Sequence, residues 1–124
     1  MELIIFNQVV KHMPESLSRV FFALSDPTRR AILARVADGE VTVTAIAAPF
    51  AMSLAAVSKH IRVLEQAGLL ERTRQGREHR LRFVARPLQE AADWVNHYRK
   101  FWTRQLDRLA QHLEQDDTNL EDVE

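Results

Sequence analysis

A mainly helical fold carrying one small β-hairpin is what this 124-residue chain predicts, from three observations. Apolar residues recur at helical spacing in several separate stretches. The period switches to two only between residues 70 and 84, on either side of a loop holding Gly76. Most helical stretches also begin or end on residues suited to starting or stopping a helix. The length is that of one small domain covering 1–124.

The first readable helix runs from about Ser16 to Leu24. Leu17, Val20, Phe21 and Leu24 share one face, and Ser16 can accept from an orphan amide as its cap. Residues 1–15 are harder to read, with apolar residues at Leu3 to Phe6 and at Val9 and Val10, and a break near Pro14. A second helix opens on Asp26 and Pro27, where the missing proline N–H costs nothing. Ile32, Leu33 and Val36 form its buried stripe, and Gly39 is expected to stop it. Residues 41–50 are ambiguous. Thr42 or Thr44 could cap a short helix burying Ile46 and Phe50, with Pro49 ending it. The β-branched Val41 and Val43 favour a short strand before it.

Residues 53–67 give the clearest helix. Ser53 caps it, Val57, Ile61 and Leu64 form its apolar stripe, and Gly68 supplies a left-handed terminus. Its other face carries Ala55, Ala56, Ser58, Lys59 and Arg62, all small or basic. Residues 70–74 and 79–84 then alternate as two strands around the loop 75–78, within a hairpin region spanning 69–85. A final helix runs from about 87 to 115. It bears one stripe through Ala92, Val95, Trp102, Leu106, Leu109 and Leu113, and a second through Trp94, Tyr98 and Phe101. So small a body cannot cover both stripes, and the surplus implies a partner chain. The acidic residues 116–124 are expected to fray.

Composition excludes several classes. With 46% apolar and 27% charged residues, three Gly and four Pro, the chain is neither disordered nor fibrous. The absence of cysteine removes disulfide scaffolds, thiolate metal sites, cysteine nucleophiles and cysteine redox switches. No apolar run approaches the roughly 18–20 residues of a membrane span. The apolar start lacks a basic region and a small-residue cleavage site, so no signal peptide is read and a cytoplasmic setting is expected. No Gly-rich phosphate loop, His-Glu-x-x-His run or nucleophile elbow is present, and catalysis is not expected.

Formal net charge is zero, 17 basic against 17 acidic, yet the charges are segregated. Ser53 to Arg86 holds eight basic and three acidic residues. Beyond Arg108 there is no Lys or Arg, and six acids follow. A basic middle with an acidic end suits a nucleic-acid binder, although two solvated faces would give the same pattern. The order of elements adds what charge cannot. Core helices over 16–50, a helix with a small or basic outer face, and a basic hairpin are the layout of a winged helix-turn-helix. The major groove admits one helix, and the arginines of a hairpin beside it can follow the backbone or enter the minor groove.

Residues 52–70, MSLAAVSKHIRVLEQAGLL, resemble the recognition-helix signature of the ArsR/SmtB family of bacterial repressors. Ser25-Asp26-Pro27-Thr28-Arg29-Arg30 is similar to the family's second-helix opening, and Gly76-Arg77-Glu78-His79-Arg80 to its wing. Residues 101–109 look like the end of a cysteine-free branch, and the likeness spans about residues 16–113. The resemblance implies a homodimer, held by its first and last helices, that binds a pseudo-palindromic double-stranded operator and represses transcription.

The candidate DNA contacts are Ser53, Ala55, Ala56, Ser58, Lys59, His60 and Arg62 on the helix, and Arg74, Arg77 and Arg80 on the wing. Each has an ordinary structural alternative. Ser53 can be only a cap, and His60 can pack against the body. Arg72 and Arg82 are expected to pair with Glu71 or other acids. Candidate dimer contacts are Leu17, Phe21, Val95, Tyr98, Trp102, Leu106 and Leu109. The aromatic stripe could instead line a small-molecule pocket.

No metal or cofactor is expected. The family's cysteine site has no counterpart at residues 42–50. In its last-helix zinc site an Asp and a His stand two apart, whereas Asp93 and His97 are four apart. His112 and Glu114 stand two apart where the family has three. Helical spacing still puts Asp93 and His97 on one face, so a different site is geometrically open. Two other functions stay open at this point: a ligand- or metal-responsive sensor of the same fold, and a protein-interaction module that has lost DNA binding.

Overall fold

The structure, a computed structural model, describes residues 13–122; the apolar stretch between Leu3 and Val10 lies outside the described residues. Helix α1 spans Glu15–Leu24 and buries Leu17, Val20 and Ala23. The expected Ser16 cap does not form. Pro14 occupies the cap position at φ −58°, and its carbonyl accepts from the amides of Leu17 and Ser18 at 3.0 and 3.2 Å. The proline thus moves the cap two residues upstream and leaves Ser16 inside the first turn.

Helix α2, Pro27–Ala37, opens as its sequence predicts. The Asp26 side chain accepts from the Arg29 amide at 3.1 Å, and Pro27 takes the first turn. Ile32, Leu33 and Val36 are buried. Gly39 does not end the helix by turning left-handed. The chain leaves through Asp38 in right-handed geometry, the Asp38 amide bonded to the Arg35 carbonyl and the Gly39 amide to the Val36 carbonyl, so the last turn tightens and positive φ is not needed.

Strand β1, Val41–Thr42, leads into the short helix α3, Val43–Ala47. Thr42 caps it by accepting from the Ala45 amide at 3.2 Å. Ile46 is fully buried, but Phe50 is only half-buried. Helix α4, Leu54–Gln66, is capped by Ser53 Oγ, which accepts from the Ala56 amide at 3.1 Å. Its far end closes at Gly68, φ +76°, where the Gly68 amide reaches the Glu65 carbonyl and the Leu69 amide the Leu64 carbonyl, both at 3.0 Å. That paired closure needs a left-handed residue, which glycine supplies without a Cβ penalty.

Strands β2, Leu70–Gln75, and β3, Glu78–Phe83, pair antiparallel from Leu70↔Phe83 to Gln75↔Glu78. Gly76 and Arg77 form the turn. Gly76 has φ +63° and Arg77 does not have positive φ, the sign pattern of a type II′ turn that matches the twist of the strands. β1 joins through Val41↔Leu81, giving a three-stranded sheet in the order β1-β3-β2. Ile32, Val36, Ile46, Val57, Ile61, Leu64, Leu69 and Leu81 form the core between helices and sheet.

Helix α5 runs from Arg86 to Asp122, well beyond the expected end near Gln115. The acidic residues from 116 on hold no Gly or Pro to stop it. The chain divides into two compact units, one ending at Ala91 and the other beginning at Ala92. Within the second unit the rings pack along the helix: Trp94 stacks on Tyr98 at 5.0 Å, and Tyr98 meets Trp102 edge-on at 6.2 Å. Val95, Trp102, Leu106, Leu109 and Leu113 stay between 44% and 62% exposed.

Candidate nucleic-acid interface

The buried stripe of α4 decides what the helix offers to solvent. With Val57, Ile61 and Leu64 at zero exposure, that face of α4 is turned into the core. Ser53, Ala55, Lys59 and Arg62 are then exposed, while Ala56, Ser58 and His60 are half-buried. Lys59 and Arg62 make no hydrogen bond or ion pair among the described residues. Two free cations one turn apart, with the small Ser53, Ala55 and Ala56 beside the exposed Leu54 towards the N-terminal end, leave room for a close approach by a polyanion.

Ser53 remains exposed although its hydroxyl is already occupied as the cap of α4. His60 turns towards the protein body. Its Nδ1 lies 3.3 Å from Arg29 Nη1 and 3.9 Å from Asp26 Oδ2. The Arg29 amide, bonded to the Asp26 carboxylate, holds that carboxyl below its usual range. Partial burial opposes this shift.

The wing carries Arg72, Arg74, Arg77, Arg80 and Arg82, and the structure separates them. Arg72 donates to Glu65 of α4 at 2.7 Å, tying hairpin to helix, rather than pairing with Glu71. Arg82 pairs with Glu71. Arg80 is half-buried and lies 3.5 Å from Glu78. Arg74 Nε donates to the Gly76 carbonyl at 3.1 Å, which braces the turn. Arg77, at the tip, is exposed and makes no such contact among the described residues. The exposed pairs add little stability and can be exchanged for phosphates at small cost.

Arg29 was not among the sequence candidates. It is the buried charged residue of the described chain, 8% exposed. A signal existed, because Arg29 stands at the head of the stripe that continues through Ile32, Leu33 and Val36. A basic residue at a core position of an amphipathic helix calls for a buried partner. Among the proposed dimer contacts, Leu17 lies in the protein's own core at 6% exposure, and Phe21 and Tyr98 are half-buried. Asp93 and His97 are exposed on α5, and among the described residues no three His, Cys, Asp or Glu side chains come together. No described helix is long and apolar enough to cross a membrane.

Comparison with known proteins agrees with this layout. A family described as a helix-turn-helix domain matches residues 24–73, from the end of α1 through α4 into β2. The chain is 34% identical over 79 residues to the transcriptional repressor SdpR of Bacillus subtilis, covering 64% of this chain and 88% of that one. It is 37% identical to a crystal structure of an ArsR family transcriptional regulator, with a TM-score of 0.70 over 74% of this chain and 95% of that one. A solution structure from Mycobacterium bovis is 32% identical, with a TM-score of 0.56 over 63% of this chain and 73% of that one. It is described as a homodimeric winged helix-turn-helix DNA-binding domain.

Proposed function

The chain belongs to the ArsR family of helix-turn-helix transcriptional regulators, and on that footing we propose that it is a homodimeric, sequence-specific DNA-binding repressor. The observation that carries this reading is the pair of uncommitted cations, Lys59 and Arg62, on the outward side of a helix held by its cap and its buried stripe. In this reading α4 enters the major groove. Ser53, Ala55 and Ala56 allow close approach, Ser58 and Arg62 reach base edges, and Lys59 meets phosphate. Arg77 leads the wing onto the adjacent backbone, with Arg74 and Arg80 behind it. The reading sets the protein's work beside DNA in the cytoplasm.

Dimerisation is assigned to the exposed apolar residues of α5, led by Val95, Trp102, Leu106 and Leu109, with Phe21 and Tyr98 contributing what they leave uncovered. Two copies would set their α4 helices into successive major grooves about 34–36 Å apart, which calls for a pseudo-palindromic site. Affinity would come mainly from phosphate contacts. A dimer neutralising six to ten phosphates loses roughly 10³–10⁵ in affinity between 50 and 200 mM salt.

The test separates backbone from base contacts. A duplex is selected from a randomised pool with the unaltered protein, and affinities are measured across a salt series. Arg77→Ala should weaken binding to every duplex alike and reduce the salt slope by about one per protomer. Arg62→Ala should change which base is preferred at one position of each half-site. Unchanged non-specific affinity in Arg77→Ala would remove the wing from the interface.

A further inference from the structure

The Arg29 guanidinium is held by three parts of the protein. Nε donates to the Ala23 carbonyl at 2.8 Å, and Nη2 to the Phe22 carbonyl at 2.9 Å, both in the last turn of α1. Nη2 also faces Ser25 Oγ at 3.4 Å, and the group lies 5.1 Å from the centre of the Phe22 ring. Nη1 points across to His60 Nδ1 on α4 at 3.3 Å. No carboxylate stands within ion-pair distance of the guanidinium among the described residues. The nearby Asp26 carboxylate accepts the Arg29 backbone amide instead.

A buried cation is costly unless its donors are satisfied. Here they meet carbonyls of the last turn of α1, at the negative end of its dipole, and the Phe22 carbonyl also accepts from the Ser25 amide and hydroxyl. Guanidinium only donates, so in this contact Nδ1 of His60 is the acceptor. The fork is planar and rigid, and it refers the end of α1, the start of α2 and the middle of α4 to one another.

We propose that Arg29 and His60 form a positioning contact that sets the roll of α4, so that Arg29 governs DNA sequence discrimination without touching DNA. The proposal rests on the DNA-binding reading above. Apolar packing of Val57, Ile61 and Leu64 holds α4 in place but is non-directional. A hydrogen bond to the neighbour of Lys59 on the same helix is directional. The helix with its side chains has a radius of about 5–6 Å, so a roll of about 20° displaces its outer side chains by about 2 Å. That displacement is enough to break a base-edge hydrogen bond, while a flexible lysine can still follow a phosphate.

The experiment compares a duplex selected by the unaltered protein with an unrelated duplex of equal length. Variants are His60→Leu, His60→Gln, Arg29→Lys, and the pair Arg29→Lys with His60→Leu. His60→Leu should lower the ratio of selected to unrelated affinity by roughly tenfold, the scale of one lost base contact. Its affinity for the unrelated duplex and its salt slope should stay unchanged. The glutamine amide oxygen can still accept from Arg29, so His60→Gln should keep most of the ratio. Arg29→Lys should reproduce the loss, and the paired variant should lose no more than either alone. If Arg29→Lys fails to fold by circular dichroism, the contrast between His60→Gln and His60→Leu decides.

An unchanged ratio in His60→Leu overturns the proposal. So does an equal loss on both duplexes with a shallower salt slope, which would make His60 a phosphate contact. Additive losses in the paired variant overturn it as well. An unaltered protein that selects no duplex defeats the DNA-binding reading itself, and the positioning role falls with it.

Discussion

Two side chains at helix starts, Asp26 and Ser53, separate what a residue does for the fold from what it does for DNA. Ser53 is exposed beside the candidate interface, yet its hydroxyl is engaged by the Ala56 amide. Ser53→Ala should therefore cost about 1 kcal/mol in chemical denaturation, as loss of a cap does. Ser53→Asp should keep the cap and the stability while weakening binding to every duplex, because a carboxylate faces phosphate. A stable Ser53→Asp variant with unaltered DNA affinity would move the interface away from the start of α4. Asp26 makes a prediction about pH. Its folded pKa lies below the ordinary 3.8, chiefly through the Arg29 amide. A depressed carboxyl adds stability that is present above its unfolded pKa and lost as pH falls through the folded one. Urea unfolding should therefore show stability declining as pH drops below about 3.8, and Asp26→Asn should flatten that decline.

At the scale of elements, the sequence is most informative where the determinants are local. Asp26-Pro27, Ser53 with Ala56, and Gly68 define helix ends through bonds spanning three to five residues, and each forms as its sequence predicts. The failures are also local in origin. Pro14 displaces Ser16 as the cap of α1, and the acidic stretch past Gln115 has no Gly or Pro. The pairing of β1 with β3 and the Glu65–Arg72 bridge depend on residues brought together only by folding. Periodicity cannot supply such contacts. The same limit applies to the site. The outward side of α4 could be inferred from its stripe, and the free state of Arg77 among five wing arginines could not. Arg29 was visible only as a basic residue in an apolar stripe, and its partners belong to α1 and α4.

For the whole molecule the open question of assembly rests on α5. Beyond Ala92 the helix keeps Leu106, Leu109 and Leu113 more than half exposed. Isolated exposed leucines are ordinary, but a continuous stripe along several turns is an interaction surface. Burial of a leucine side chain contributes about 1.5–3 kcal/mol, and a two-fold dimer counts each substitution twice. Leu109→Glu should therefore convert a dimer to monomers at micromolar concentration in sedimentation equilibrium. The fold of the first unit should persist, because Leu109 lies outside it. The monomer should keep weak, salt-sensitive binding to any duplex, since Lys59, Arg62 and Arg77 are intact. It should lose its preference for two half-sites in phase over one. Should the substituted protein still sediment as a dimer and still require both half-sites, α5 would not be the dimer contact, and the stripe through Leu109 would belong to another partner.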